Sequence, residues 1–213
     1  MANLAALSES VVVGDAEKVE KLIKQALDEG MGALEILNEG LVKGMDVVGE
    51  KYKNYEMYLP GLVVSARAMR AGLAILNPIL ATSRDRSSVK IAVGTVMGDT
   101  HDIGKNIVAA MLEGAGFEVV DLGYDVPPDR FVSAIVDDGA DVIGMSALVT
   151  TNMLSMKETM DAIEEAGVRG KAKVIIGGAP VTQEYADRIG ADGYAEDAAL
   201  AVDLVRKLFR EEK

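Results

Sequence analysis

The stretch VKIAVGTVMGDTHDIGKN, residues 89–106, marks a change in the character of the sequence. Its first part is apolar and β-branched, which predicts a strand over Lys90–Val96. A polar, glycine-containing loop follows at 97–102, and apolar residues at helical spacing then predict a helix over about 103–115. A strand, a loop and a helix in this order form the repeating unit of a parallel sheet.

The same alternation continues from this unit to the end of the chain. Further strands are predicted at Glu118–Asp121, Val142–Met145, Lys173–Ile176 and Gly193–Ala195, and helices at about 128–138, 152–166, 181–189 and 197–210. The strands are apolar almost throughout, as in sheets covered on both faces. The fold class is therefore predicted to be α/β, with a five-stranded, parallel, doubly wound sheet of the Rossmann or flavodoxin type. Ligands bind such sheets at the carboxyl ends of the strands.

The residues before this unit have helical spacing and no β-rich runs. Asp15 is a candidate N-cap for one helix, a second follows Gly30, and a third begins after Pro60 and is expected to stop at Asn77-Pro78. With a short helix near the start, they predict a four-helix bundle. The predicted domains are a helical cap at 1–83, a linker at 84–88 and an α/β domain at 89–213.

The composition excludes several kinds of site. The 213 residues include no Cys and one His, which excludes disulfides, thiolate zinc sites, iron–sulfur clusters and any site built from two imidazoles. A net charge of −12 disfavours nucleic acid as a partner. We expect no membrane partner, because the apolar stretches look shorter than a membrane span, and no signal peptide; the expected location is the cytoplasm.

The only histidine, His101, lies in the loop after the first predicted strand. Asp99 precedes it by two residues, so in an extended loop both side chains can point the same way. A carboxylate beside an imidazole fixes its tautomer and increases the basicity of the other nitrogen, which suits metal ligation or general-base catalysis. The residues alone leave a second interpretation open, a solvated loop histidine beside an unrelated aspartate.

Common catalytic and nucleotide-binding motifs are absent from the sequence. It contains no G-x-S-x-G nucleophile elbow, no G-x-G-x-x-G and no G-x-x-x-x-G-K-[ST]. One histidine without cysteines is too few ligands for a zinc hydrolase, and imidazole suits magnesium or manganese poorly. A metal that takes one protein ligand and the rest from a macrocycle, as in haem or a corrinoid, explains His101 best.

Three spaced elements resemble a known signature. Asp99-x-His101-x-x-Gly104, then 41 residues, then Ser146-x-Leu148, then 28 residues, then Gly177-Gly178 is similar to the cobalamin-binding motif of base-off, His-on corrinoid proteins. The N-terminal half resembles the helical cap of corrinoid methyltransferases around residues 49–52 and 55–60. The resemblance is to the corrinoid carriers of methanol, methylamine, methoxyaromatic and betaine methyltransferase systems, which are related to the cobalamin-binding module of methionine synthase.

The resemblance implies a role for each element. His101 would be the lower axial ligand of cobalt, and Asp99 would hydrogen-bond it; these two are the candidate catalytic residues. Ser146 would bond the displaced nucleotide tail of the cofactor, and Gly177 and Gly178 would leave room for it. Gly104 would let the backbone approach the corrin. The remaining candidate cofactor-binding residues are Gly98, Thr100, Asp102, Ile103, Leu148, Val149, Thr150, Ala179 and Tyr194, with Met57, Tyr58 and Leu62 on the cap.

The implied function is to carry a methyl group on cobalt between two methyltransferases. One would act on a substrate, the other would pass the methyl group to coenzyme M or tetrahydrofolate, and a reductive activase would be a further partner. Three alternatives remain open: a cobalamin-dependent sensor without catalysis, the cobalamin subunit of a carbon-skeleton mutase, and a flavodoxin-like domain without cofactor. One departure is Asn152, which stands where the methionine synthase branch has a second serine in its His–Asp relay.

Overall fold

The structure, a computed structural model, describes residues 3–80 and 89–210. The chain divides into two compact units, one formed by Met1–Ser88 with Ala110–Gly116 and the other by Val89–Ala109 with Phe117–Lys213. The predicted linker at 84–88 lies outside the described residues, so its boundaries stay a prediction.

Over residues 3–80, the part of the N-terminal region that the structure describes, the first unit contains four helical segments, as predicted for the bundle. They are α1 (Leu4–Val13), α2 (Ala16–Asp28), a segment that runs from α3 (Ala33–Ile36) through a π-helical turn (Leu37–Val42) into α4 (Lys43–Lys53), and α5 (Leu59–Leu80). The Asp15 cap is confirmed, because its carboxylate accepts the Lys18 amide.

Two details of this unit differ from the prediction. The helix expected to stop at Asn77-Pro78 continues to Leu80 with Pro78 inside it. Proline weakens a helix locally, but Leu76 and Leu80 are buried, and their burial offsets that cost. The π-helical turn was not predicted. It contains Gly40, where an added Cβ would lie 2.5 Å from a Leu7 methyl carbon, so a close helix contact accompanies the turn.

Helix α5 also corrects the expectation that no stretch approaches a membrane span. It has 22 residues, and its best 18-residue window has a mean hydropathy of 1.4, which is long and apolar enough to cross a bilayer. A central bundle helix meets the same criterion. Leu62, Met69 and Leu73 of α5 are buried within the unit, so its length and composition alone do not indicate a membrane.

Residues 90–210 adopt the predicted α/β fold. The elements in chain order are β1 (Lys90–Val96), α6 (Ile103–Gly114), β2 (Glu118–Val126), α7 (Pro128–Val136), β3 (Val142–Ser146), a 3₁₀ turn (Thr150–Asn152), α8 (Met153–Glu165), β4 (Lys173–Gly177), α9 (Gln183–Ile189), β5 (Gly193–Ala195) and α10 (Ala198–Arg210). The five strands are parallel in the order β2-β1-β3-β4-β5. The strand order reverses between β1 and β3, and a crevice opens at such a point beyond the carboxyl ends of the strands.

The core of this sheet is apolar on both faces. Phe131, Ile143 and Met156 are among its largest fully buried side chains. Strand β2 is longer than predicted and reaches Val126 rather than Asp121. The part beyond Asp121 contains Gly123 and Asp125, which interrupt the apolar pattern that signals a strand.

Candidate functional site

The loop that carries His101 begins with a tight turn at the end of β1. The Asp99 amide donates to the Val96 carbonyl (3.1 Å), and Gly98 between them has φ +84°. A four-residue turn with positive φ at its third position is the type II arrangement, which favours glycine there. Gly98 is thus required by the turn, and the turn directs Asp99 into the protein.

Asp99 and His101 form the predicted pair. The Nδ1 atom of His101 lies 2.7 Å from Asp99 Oδ1, and the His101 backbone amide donates to the same oxygen (3.0 Å). Asp99 is 1% exposed, whereas the His101 side chain is 55% exposed. A buried carboxylate therefore holds the inner nitrogen of an imidazole whose outer part faces solvent.

The second oxygen of Asp99 joins two loops. Asp99 Oδ2 accepts the Leu148 amide (2.7 Å) and the Val149 amide (3.4 Å) from the loop after β3. Burial alone would raise the pKa of this carboxyl, but hydrogen bonds from the His101 and Leu148 amides and the His101 ring lower the pKa to about 2. Asp99 is therefore ionised at neutral pH.

The ionisation of Asp99 decides the tautomer of His101. A carboxylate only accepts hydrogen bonds, so His101 Nδ1 carries the proton and donates it to Asp99. In the neutral ring the lone pair is then on Nε2. Thr95 also donates its hydroxyl to the His101 carbonyl (3.1 Å), which fixes the backbone of this residue. The arrangement presents one imidazole nitrogen to a metal or a proton donor.

Exposed apolar side chains lie in the segments that follow β1 and β3 and in the last part of β2. We call this set the apolar rim; its members are 40–70% exposed and comprise Met97, Ile103, Tyr124, Leu148, Val149 and Leu154. Large apolar side chains left in solvent at a sheet's ligand edge are typical of a binding surface. Among residues 3–80 and 89–210 there is no group of three or more His, Asp or Glu that could hold a metal ion. A single imidazole within an apolar rim fits a metal whose other ligands belong to a flat macrocycle.

The predicted glycine pair lies at the end of β4. An added Cβ at Gly178, which has φ +123°, would lie 1.9 Å from the Ala147 carbonyl oxygen, and one at Gly177 would lie 2.9 Å from the Ala195 carbonyl oxygen. The chain's own packing therefore requires glycine at Gly178. Room for a nucleotide tail stays a prediction for both positions.

The other predicted residues of the sheet have varied environments. Ser146 ends β3 between Thr95 and Gly177. Asp102 accepts the Asn106 side-chain amide (3.1 Å) and so stabilises the start of α6. No atom lies within 4 Å of an added Cβ at Gly104, so its approach to the corrin is untested. Thr100, Thr150 and Ala179 are exposed, and Tyr194 in β5 is half-buried, which raises the pKa of its phenol.

The three cap residues lie in the first unit, Met57 and Tyr58 between α4 and α5 and Leu62 in the first turn of α5. Tyr58 is exposed and Met57 is half-buried, so both offer surface to a ligand. Leu62 is fully buried in the bundle core and offers almost none. Contact of any of the three with a corrin stays a prediction.

Comparison with known proteins identifies the family. Residues 89–203 and 4–77 each match a family model described as a B12-binding domain. The chain is 46% identical to a corrinoid protein of Desulfitobacterium hafniense strain Y51, with 98% of each chain covered. It is 42% identical to the trimethylamine corrinoid protein of Methanosarcina barkeri, with 95% of this chain and 94% of that one covered.

The chain belongs to the family of B12-binding corrinoid proteins. The crystal structure of the methanol:cobalamin methyltransferase complex of Methanosarcina barkeri contains a chain that matches 97% of this corrinoid protein, with 79% of that chain covered, a TM-score of 0.86 and 28% identity. The predicted fold, a helical region followed by a five-stranded B12-binding sheet, is thereby confirmed, and so is corrinoid binding.

The departure at Asn152 has a structural counterpart in this corrinoid protein. Asn152 ends the 3₁₀ turn, and its amide oxygen would lie 3.6 Å from a Cβ added at Gly98. The same amide oxygen of Asn152 accepts the Thr151 hydroxyl (3.2 Å). Asp99 Oδ2, in turn, accepts the backbone amides of Leu148 and Val149. Asp99 is thus held by backbone amides, which bind a carboxylate and do not relay a proton.

Several residues of the site were not predicted from the sequence. Tyr124, Met97 and Leu154 belong to the apolar rim, and unexplained apolar residues at strand ends are the signal that could have indicated them. The Lys105 ammonium is buried and bonds Asp121 and the Asn106 side chain. The Asp125 carboxylate accepts the Gly98 amide in the turn before His101, and the sequence contains no local signal for this contact.

Proposed function

We propose that this corrinoid protein holds its cofactor base-off and His-on at the carboxyl edge of the sheet, with His101 as axial ligand. The observation that carries the proposal is the 2.7 Å bond between His101 Nδ1 and the buried, ionised Asp99. It leaves Nε2 as the free donor atom on an exposed ring. A histidine ligand oriented by a carboxylate is the usual arrangement in metal sites.

Other residues of the same edge would accommodate the rest of the cofactor. The apolar rim would contact the macrocycle, Ser146 would bond the nucleotide tail, and Gly177 would leave space beside it. When bound, the corrinoid cobalt supplies the atom that accepts and releases a methyl group. The protein's part is to orient the axial ligand, fix its tautomer and exclude water from the cofactor.

The proposed role is that of a methyl carrier between two methyltransferases in the cytoplasm. The relatives support it, since one is named a trimethylamine corrinoid protein and the neighbouring structure is a methanol:cobalamin methyltransferase complex. We propose a substrate-specific methyltransferase, an acceptor methyltransferase that uses coenzyme M or tetrahydrofolate, and a reductive activase as partners. In this role the chain is one subunit of a multi-protein system.

The decisive experiment measures axial ligation and methyl transfer separately. Wild type and His101→Ala are produced with uniform ¹⁵N labelling and reconstituted with unlabelled cobalamin, and EPR of the Co(II) form is recorded, so that a ligand nitrogen of the protein is distinguished from that of the cofactor's own base. We expect ¹⁵N splitting in wild type and its loss in His101→Ala. Asp141→Ala, at the opposite edge of the sheet, is the control and keeps the splitting.

Methyl transfer is then assayed with purified methyltransferases encoded near its gene, using methylamines and methanol as donors and a low-potential chemical reductant that brings the cobalt to Co(I), the form that accepts a methyl group. Wild type is expected to receive the methyl group, seen as a change in the corrinoid absorbance spectrum. Unchanged splitting in His101→Ala would contradict His101 as the ligand. Normal ligation with no methyl transfer from any partner would contradict the carrier role and favour a cobalamin-dependent sensor.

A further inference from the structure

Strand β2 contains two more residues than β1 over the stretch where they pair. Asp121 pairs with Val93 but Gly123 pairs with Gly94, and Val126 pairs with Val96. Each register shift inserts one residue into β2. Such bulges bend a strand and redirect its side chains, and they are common beside functional sites. Both shifts lie towards the carboxyl edge of the sheet, where β1 continues into the His101 loop.

The second bulge contains a residue in an unfavourable backbone conformation. Asp125 has φ +54°, and in the part of the chain that the structure describes only Tyr55 shares a positive φ among residues other than glycine. Aspartate and asparagine tolerate this left-handed region better than other residues with a side chain. A conformation of this kind persists only where surrounding contacts compensate for it.

The compensating contacts of Asp125 are with the turn before His101. Asp125 Oδ1 accepts the Gly98 amide (2.7 Å), and the Asp125 amide donates to the Asp99 carbonyl (3.0 Å). These two bonds attach β2 to the third and fourth residues of the turn, Gly98 and Asp99. The Asp99 side chain in turn holds the His101 ring.

We propose that Asp125 is a positioning residue for His101, acting through Gly98 and Asp99. The proposal rests on the proposed function, since it assumes that His101 is the axial ligand. Asp125 touches neither the imidazole nor a cofactor. It fixes the turn from the β2 side, while the Leu148 amide fixes Asp99 from the β3 side.

The geometry defines what losing Asp125 changes. The His101–Asp99 bond lies within the loop and does not involve Asp125, so it persists. A side-chain substitution at Asp125 removes the bond to the Gly98 amide and leaves the backbone bond to Asp99, so the attachment of the turn to β2 is weakened and we expect Asp99 and His101 to shift together relative to the sheet. The expected consequence is a misplaced ligand on a folded protein, seen as weaker cobalamin binding and a smaller His-on fraction.

Three variants separate the side chain of Asp125 from its backbone conformation. Asp125→Asn keeps an oxygen acceptor and tolerates positive φ. Asp125→Gly keeps the conformation and removes the acceptor, and Asp125→Ala loses both. We expect Asp125→Asn to resemble wild type, and Asp125→Gly and Asp125→Ala to lose cobalamin affinity about tenfold, as for residues that orient metal ligands.

Asp141 provides a matched control at the other end of β1. Its Oδ2 accepts the Lys90 amide (2.8 Å), and its own amide donates to the Lys90 carbonyl (2.8 Å). Asp141→Ala removes the same type of bond from the same strand, far along the chain from His101. Its cobalamin affinity and ligation are expected to equal those of wild type.

Two readouts are used, one of which needs no cofactor. In the corrinoid-free protein, NMR hydrogen exchange of the Gly98 amide is expected to accelerate about tenfold in Asp125→Gly and Asp125→Ala, because this amide loses its acceptor. In the reconstituted protein, cobalamin titration and Co(II) EPR report affinity and the His-on fraction. Far-UV circular dichroism of each variant verifies the fold.

The outcomes distinguish this proposal from the proposed function. If His101→Ala abolishes nitrogen splitting while Asp125→Ala matches Asp141→Ala in affinity and splitting, the positioning role is wrong and the axial ligand stands. If His101→Ala leaves the splitting unchanged, the axial assignment itself is wrong. A wild-type result for Asp125→Gly would also overturn the proposal, since the acceptor would then be dispensable. An Asp125→Ala that does not fold leaves Asp125→Gly and Asp125→Asn to decide.

Discussion

The two edges of the sheet use the same hydrogen-bonding pattern for different purposes. At the amino edge, Asp141 exchanges bonds with the Lys90 backbone and Asp192 exchanges bonds with the Val174 backbone, with its Oδ2 accepting the Val174 amide (2.7 Å). At the carboxyl edge, Asp125 exchanges bonds with the Gly98–Asp99 turn. In each case an aspartate joins neighbouring segments by one side-chain and one backbone bond.

The edges differ in backbone conformation. Asp125 has a positive φ, whereas Asp141 and Asp192 do not. One register shift in β2 precedes Asp125, and a second contains it. The amino-edge bonds continue regular strands and stabilise them. The carboxyl-edge bond requires an unfavourable conformation, and what it stabilises is a loop with an exposed histidine. Local strain is thus concentrated at the edge where ligands bind.

The largest difference between the two edges is expected in the loss of stability when a glycine is replaced by alanine. Gly178 follows β4 at the carboxyl edge, and an added Cβ there would lie 1.9 Å from the Ala147 carbonyl oxygen. Backbone cannot move aside as a side chain can, so Gly178→Ala is expected to lower the free energy of unfolding by about 4 kcal/mol or more, or to prevent folding. Urea unfolding of the corrinoid-free protein measures this change.

Gly190, which precedes β5 at the amino edge, is the control for conformation alone. Its φ is +78°, but no atom lies within 4 Å of an added Cβ. Gly190→Ala is expected to cost about 1 kcal/mol, the cost of a left-handed residue with a side chain. If Gly178→Ala and Gly190→Ala lowered the free energy of unfolding by similar amounts, the close approach of backbone at Gly178 would not be what makes glycine necessary there.

The next largest loss of stability is expected when the buried carboxylate of Asp99 is removed. Asp99→Ala leaves the Leu148 and His101 amides without their acceptor inside the protein. We expect the free energy of unfolding to fall by about 3 kcal/mol, compared with about 1 kcal/mol for Asp141→Ala, whose residue is exposed. Equal losses in urea unfolding of the two corrinoid-free variants would show that Asp99 is no more important to the fold than an edge aspartate.

Lowering the pH tests how far the contribution of Asp99 to stability depends on its negative charge. Its pKa of about 2 in the folded protein is below the ordinary 3.8, so its contribution to stability is complete above the unfolded value and is lost as pH falls through the folded value. The difference in unfolding free energy between wild type and Asp99→Asn is therefore expected to narrow between about pH 4 and pH 2. A difference that stays constant over this range would mean that the hydrogen bonds do not depend on the charge.

The sequence predicted His101 and Asp99 because their relation is local. Side chains two residues apart in an extended loop point in the same direction, and this does not depend on the rest of the fold. The strands β1 and β5 were predicted with their observed limits, since their apolar runs end at turn residues. The carboxyl edge as the ligand edge followed from the parallel alternation alone.

Asp125 could not be predicted in the same way. Its bonds to Gly98 and Asp99 depend on two register shifts in β2, and register is a property of two strands that one sequence does not display. The contact between Asp99 and the Leu148 amide spans 49 residues and needs the β1–β3 adjacency. These hydrogen bonds form only when the strands pair in the tertiary fold, so local spacing in the sequence does not predict them.

Apart from the two control variants, the smallest expected loss of stability is at Asp192, on the amino edge. Asp192 bonds the Val174 amide and pairs with Arg169 (2.8 Å), and both side chains are partly exposed. Asp192→Ala is expected to lower the free energy of unfolding by about 1.5 kcal/mol, because a charge-assisted bond is lost where water can partly replace it. Cobalamin affinity is expected to stay unchanged, since these residues precede β4 and β5 while His101 follows β1. If Asp192→Ala weakened cobalamin binding as much as Asp125→Ala, loss of stability alone would explain both results, and the division of labour between the two edges would be wrong.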